Sequence, residues 1–342
     1  MTKKISIIIL FFFSSVNVFA SETIGIITTI KPIDSLVSAV VGDTGKTISL
    51  IPSETSPHEF RLKPSDARAL QNGNIIFYIS PHLETSIVKV FETLPKNIKI
   101  INLMEETGIE HLSIRDNEAW ELHDHHDDEK HDDHDKHAQK DEHNDHDKHT
   151  QKDEHDDHDK HAQKDEHDDH KSKDDVHIWL DPENAIKIIK KVNTELSFFF
   201  PENAKIYDKN ATKIINKIKS LKKQLKKELL PIKEKPYIVF HDAYQYFEKT
   251  FGLNAVGSIA LEDDIASSPK QISFIKNKII KSKASCVFQE PQFDNKLVKT
   301  VIEGTQAKIG TLDPLGFGIK EKEDFYLQLL RNMSKNLKEC LG

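Results

Sequence analysis

The chain has 342 residues and a formal net charge of −8, with 48 Lys+Arg against 56 Asp+Glu, 19 histidines and two cysteines. The acidity is local: 23 Asp+Glu and 9 Lys fall between Glu121 and Asp175, leaving 39 basic and 33 acidic residues elsewhere. No basic stripe interleaved with aromatics exists in that remainder, which argues against nucleic acid as a partner.

The N-terminus reads as a secretory signal. Lys3 and Lys4 form a positive region, Ile5 to Phe13 an apolar one, and Val18-Phe19-Ala20 a small-residue cleavage site before Ser21. The apolar run is too short to span a bilayer comfortably, and no second one follows. No cysteine near the cleavage point offers a lipid attachment site. Residues 1–20 are therefore expected to be removed, leaving a free periplasmic protein with no direct membrane insertion.

Residues 21–200 read as a first α/β lobe. Short β-rich runs at Ile24–Thr29, Thr47–Ile51, Ile75–Ile79 and Ile98–Asn102 alternate with helical stretches beginning near Pro32, after Pro64 and near Leu83. Such alternation predicts a parallel sheet flanked by helices. An insert over 121–175 interrupts this lobe. Its units EKHDDHDKHAQK, DEHNDHDKHTQK, DEHDDHDKHAQK and a truncated DEHDDH repeat with a period of 12. It has no aliphatic residue beyond alanine between Leu122 and Val176, so it is expected to be disordered. It holds His123, His125, His126, His131, His134, His137, His143, His146, His149, His155, His158, His161, His167 and His170. Imidazoles among carboxylates suit a borderline divalent ion such as zinc. A merely solvated loop is the plainer alternative, but the dense His-x-x-His spacing favours an auxiliary, low-affinity zinc collector or sensor. Each of its sites should be weak, because ordering the loop costs entropy.

A long helical pattern follows over 201–230, with Ile214, Ile218, Leu221 and Leu225 at 4-3-4 spacing. It is expected to be a stiff helix of roughly 40 Å linking two lobes. The second lobe, 231–342, repeats the scheme with runs at Tyr237–Phe240, Leu253–Ile259, Cys286–Gln289 and Lys308–Leu312. Helices are expected at Ala243–Phe251, near Pro269–Lys283, at Phe293–Gln306 and from about Glu321 to Cys340. In an exported chain Cys286 and Cys340 are expected to pair, closing a loop of about 55 residues worth roughly 4 kcal/mol on the chain-entropy model. A metal role for the pair is the weaker alternative.

Three histidines outside the insert stand in suggestive places. His58 follows the second strand, His177 follows the insert, and His241 sits just past Tyr237–Phe240; Asp313 sits past Lys308–Leu312. Ligands in open α/β domains bind beyond the carboxyl ends of strands, so these four are expected to meet in one cleft between the lobes. Three imidazoles completed by a carboxylate or water suit tetrahedral zinc, whereas manganese would want more oxygen. At ordinary imidazole pKa, affinity should fall steeply below about pH 6. His82 reads as a solvent-facing loop residue, and His111 as having no metal role. Asp181-Pro182 reads as an N-cap and first helical residue behind His177, with Trp179 packed in the core.

Four segments then carry a resemblance: SPHEFRLKPSDARALQNGNIIFYIS, DVHIWLDPENA, VFHDAYQYFEKTFGL and CVFQEPQFDN…GTLDPLG. In order and spacing they resemble ZnuA-type proteins, the periplasmic zinc-binding components of ABC importers, over nearly the whole chain outside signal and insert. The resemblance implies two α/β lobes with parallel sheets, joined by one rigid helix, with the metal between them. It places the family's three histidine ligands on His58, His177 and His241. Manganese-binding relatives carry a glutamate at the place of His241. Some zinc members use a glutamate before the first histidine, where this chain has Pro57. Asp313 or a water is then the fourth ligand, and Glu59 a weaker candidate. A disulfide matching Cys286 and Cys340 is frequent among the zinc members. The expected cargo is Zn²⁺, the expected partners a permease and its ATPase, and the expected state a monomer without enzymatic activity. The alternatives are a manganese-binding component of the same class, or a secreted zinc hydrolase with Glu59 as base. No His-Glu-x-x-His helix supports the latter.

Overall fold

The computed structural model describes residues 25–106, 108–115, 174–260, 268–320 and 324–342. The signal reading of 1–20 and the fourteen insert histidines lie outside the described residues.

In the first lobe, β1 (Gly25–Ile30), β2 (Lys46–Ile51), β3 (Ile75–Tyr78) and β4 (Lys99–Asn102) form one parallel sheet in the order β2-β1-β3-β4. Ile27 pairs with Ile48 and with Ile76, and Ile76 with Ile100. The central strands are continuous apolar runs because helices cover both faces of the sheet; Ile26, Ile27, Ile75, Ile76 and Phe77 are all buried. Those helices are α1 (Lys31–Val41), α2 (Pro64–Gln71), α3 (Thr85–Phe91), the single turn α4 (Leu103–Glu106) and α5 (Pro182–Phe199). α3 begins at Thr85 rather than Leu83. The Glu84 carboxylate turns back to accept the amides of Ile79 and Ser80 at 3.0 and 2.9 Å, and so fixes the loop before the helix.

The second lobe repeats the plan. Strands β5 (Tyr237–Val239), β6 (Ala255–Ser258), β7 (Cys286–Gln289) and β8 (Lys308–Thr311) form a parallel sheet in the order β6-β5-β7-β8. Around it lie α7 (Gln245–Phe251), α8 (Pro269–Ser282), α9 (Lys296–Ile302) and α10 (Phe325–Leu341). Helix α9 is shorter than the sequence suggests. Its start waits on a turn in which Asp294 accepts the Lys296 amide, and Gly304 beyond it stands at φ 76°, outside the helical region.

Between the lobes runs α6 (Ala204–Leu229), 26 residues and about 39 Å long. Pro201 opens a 3-10 turn, so the helix proper starts three residues later than the pattern implies. Its buried stripe is Tyr207, Ala211, Ile214, Ile218, Leu221, Leu225 and Leu229, while Lys213, Lys217, Lys219, Lys223, Lys226 and Lys227 face water. The stripe packs on α1 and α5 of the first lobe and on α7 and α10 of the second, so one apolar core runs through both lobes. A separate core, built on Ile238, Phe240, Ile275, Ile279, Val287 and Val301, fills the outer side of the second sheet. The disulfide joins Cys286, the first residue of β7, to Cys340 near the end of α10, as the redox argument expects.

Candidate metal centre

Three side chains converge where the lobes face each other. His58 lies on the loop that leaves β2. That loop is shaped by turns closed by Thr55 N–H on Pro52 O and Phe60 N–H on Pro57 O, and is tied to α3 by the Ser86 hydroxyl on Phe60 O at 2.7 Å. His177 precedes a short 3-10 turn, Ile178–Leu180, whose Trp179 is fully buried and donates its indole N–H to Pro314 O at 2.8 Å. Behind that turn Asp181 caps α5, accepting the Glu183 amide at 2.9 Å, with Pro182 in the first turn, as the sequence predicts. His241 sits two residues beyond β5 of the second lobe, directly after the buried Val239 and Phe240.

The Nε2 atoms of His58 and His177 are 3.3 Å apart, and those of His177 and His241 3.4 Å apart. The ligand atoms of all three lie within 4.8 Å of one another, and no other such group occurs among the described residues. Two nitrogens bound tetrahedrally to one zinc ion at about 2.0–2.1 Å stand about 3.3–3.4 Å apart. The two closer pairs are already at that spacing.

Two of the rings are oriented from behind. His177 Nδ1–H donates to Asp175 Oδ1 at 2.7 Å, and the His177 backbone N–H donates to the same oxygen at 2.9 Å. His241 Nδ1–H donates to Glu290 Oε1 at 2.7 Å. A carboxylate on Nδ1 fixes the tautomer, leaves the Nε2 lone pair aimed into the cleft, and makes it more basic toward a cation. Burial, with His241 as a like neighbour, lowers the His177 pKa to about 3. Burial and the two neighbouring imidazoles also hold His58 well below its ordinary value. Both shifts disfavour the charged imidazolium and keep these two rings in the neutral form that binds a cation. Asp175 moves the other way: burial lifts it to about 7 against the pull of the His177 amide, Arg115 and His241.

The remaining candidates are placed elsewhere. The structure does not bring Asp313 into the cluster. Its Oδ1 accepts from Leu315 N–H at 2.9 Å, Gly316 N–H at 3.0 Å and Gln292 Nε2 at 2.9 Å, and its Oδ2 accepts from Phe317 N–H. This carboxylate shapes the loop whose Pro314 and Leu315 line the site. Glu59 and His82 are exposed and also outside the cluster. His111 binds Asp174 through Nδ1 at 2.6 Å. Sequence reasoning missed Asp175 and Glu290 as orienting groups. Glu290 directly follows the end of β7, the position from which site residues of this fold project.

A family model for the zinc-uptake complex component A, periplasmic (ZnuA), matches residues 26–340. The chain belongs to this family. The high-affinity zinc uptake system protein ZnuA of Brucella suis biovar 1 (strain 1330) is 43% identical over 323 residues, spanning 94% of this chain and 93% of that protein. A crystal structure of ZnuA superposes with a TM-score of 0.70 at 19% identity, covering 94% of this chain and 100% of that one. A manganese-bound mutant of a periplasmic metal-binding protein from candidatus liberibacter asiaticus superposes with a TM-score of 0.68 at 19% identity, covering 93% and 99%. The two-lobe fold is thus shared with both of these structures. Membership makes this a zinc-uptake component of the periplasmic solute-binding class. No helix among the described residues is long and apolar enough to cross a membrane.

Proposed function

We propose that this chain captures Zn²⁺ in the cleft through Nε2 of His58, His177 and His241, and delivers it to the permease of an ABC importer driven by its ATPase. The observation that carries the reading is the 3.3 and 3.4 Å spacing of ligand nitrogens whose other ring nitrogens are tied to carboxylates. An all-imidazole set favours zinc over manganese. A water completes the tetrahedron, since Asp313 is occupied by four donors of its own loop. The chain works as a monomeric carrier and not as an enzyme. Residues 1–20 are a cleaved export signal, 21–200 and 231–342 form the two lobes, and 201–230 is the link between them. The insert over 121–175 gathers zinc weakly beside the main site.

Calorimetry with a competing chelator tests this on the mature chain and on one lacking residues 122–173, which keeps Asp174 in the stem and Asp175 on His177. The expected outcome is one tight site that survives the deletion, with several weak sites lost. Loss of all tight binding on deletion would move the metal site to the insert and refute the cleft assignment.

A further inference from the structure

The segments that flank residues 116–173 are joined to each other and to the second lobe. Ser113 and Asp174 form an antiparallel bridge, and Asp175 N–H donates to Leu112 O at 2.7 Å. This stem lies against α7. The Tyr246 hydroxyl donates to Asp175 O at 2.9 Å and accepts from Leu112 N–H at 3.1 Å, and Gln245 Nε2 donates to Ser113 O at 3.1 Å. Arg115 reaches further. Its Nε donates to Asp242 Oδ2 at 2.8 Å, Nη2 to Asp242 Oδ1, and Nη1 to Glu248 Oε2 at 2.7 Å. The three side chains are largely withdrawn from solvent, at 21%, 16% and 5% exposure.

Asp242 is the residue next to His241, and on the other side of the stem Asp175 holds His177. We infer that Arg115 is a positioning residue for the metal centre: its fork on Asp242 fixes the backbone that presents His241, so the stem of the His-rich insert helps set ligand geometry in the cleft. The inference rests on the ligand reading above. A guanidinium gripping both carboxylate oxygens fixes direction as well as distance, which a lysine cannot do. A second ion pair spans the same junction without touching a ligand-bearing residue: Lys249 Nζ lies 2.7 Å from Glu110 Oε1, with the side chains 53% and 67% exposed. It provides the control.

The test uses the full mature chain, with zinc release into excess chelator followed by stopped flow and the visible spectrum of the cobalt(II)-loaded protein. Arg115→Ala should release zinc about 10–100-fold faster, the range for groups that orient metal ligands, and should shift the cobalt bands. Arg115→Lys should fall between it and wild type, and Lys249→Ala should match wild type in both readouts. Wild-type release and cobalt bands from Arg115→Ala would overturn the inference, as would equal acceleration by Lys249→Ala. If Arg115→Ala does not fold, Asp242→Asn decides, because it keeps Arg115 on Glu248; wild-type release from that variant overturns the inference. A tight site that survives His241→Ala overturns the ligand reading and this inference with it. A site lost in His241→Ala but indifferent to Arg115→Ala overturns this inference alone.

Discussion

The two lobes carry the same device with different contents. β1 and β5 occupy equivalent places in their sheets, as do β3 and β7. In the first lobe Thr29, near the end of β1, donates its hydroxyl to Glu84 Oε1 at 2.6 Å, and Glu84 lies beyond β3. In the second lobe His241, just past β5, donates Nδ1–H to Glu290 Oε1 at 2.7 Å, and Glu290 lies beyond β7. Both glutamates are buried, at 1% and 3% exposure. A neutral hydroxyl that donates to Glu84 keeps only lone pairs on its one oxygen, a poor zinc ligand beside imidazole nitrogen. An imidazole that donates through one nitrogen has a second, lone-pair nitrogen left for a cation. The first lobe instead supplies its ligands from the β2 loop and from the turn before α5. A buried carboxylate beyond a central strand is thus a scaffold part, and the residue it grips decides whether it serves a site.

Three experiments would sharpen or break that comparison. The largest effect is expected from His241→Ala, which removes a ligand and should weaken zinc by more than about 100-fold, beyond the range for orienting groups. A change below tenfold in competition titrations would place the ion elsewhere. Next, Glu290→Gln should weaken zinc by about 10–100-fold, because the amide is a poorer acceptor for His241 Nδ1–H. Glu84→Gln should leave zinc affinity unchanged; equal losses in both variants would mean that the two glutamates do the same job.

Glu84 should instead appear in stability. Burial raises its pKa to about 7 from an ordinary 4.5, against the opposing hydrogen bonds from Ser80, Thr29 and Ile79. A raised carboxyl contributes stability that is fully present below about pH 4.5 and lost as pH climbs through 7, on the order of 3 kcal/mol for a shift of this size. Urea unfolding of the metal-free chain should show wild type losing ground to Glu84→Gln across that window. A difference that stays flat with pH would show that Glu84 remains ionised in the folded state.

Much of this architecture was legible in the residues. Apolar runs alternating with helical segments announce two parallel sheets, and the 4-3-4 stripe of Ile214, Ile218, Leu221 and Leu225 announces the linking helix. His58 and His241 were legible as imidazoles past strand ends, and His177 through the DVHIWLDPENA motif. Asp175, Glu290, Arg115 and Asp242 were not, because carboxylates and arginines near strand ends are common and carry no periodicity. What gives them meaning is contact across 49 residues for His241–Glu290 and 127 for Arg115–Asp242. Asp313 stands outside the histidine cluster for a physical reason. Its place beyond β8 suits a ligand, yet the Asp-Pro-x-Gly stretch it begins also suits a turn, and the turn's amides take the carboxylate.

Helix α10 carries a consequence of its own. Its Tyr326 reaches out of its own lobe, giving its hydroxyl to Trp179 O at 2.8 Å, while Ser35 Oγ receives its amide at 3.1 Å. Trp179 stands two residues from His177. The turn that presents His177 therefore leans on a helix 147 residues further along the chain, so a change that loosens α10 is felt at the ligand.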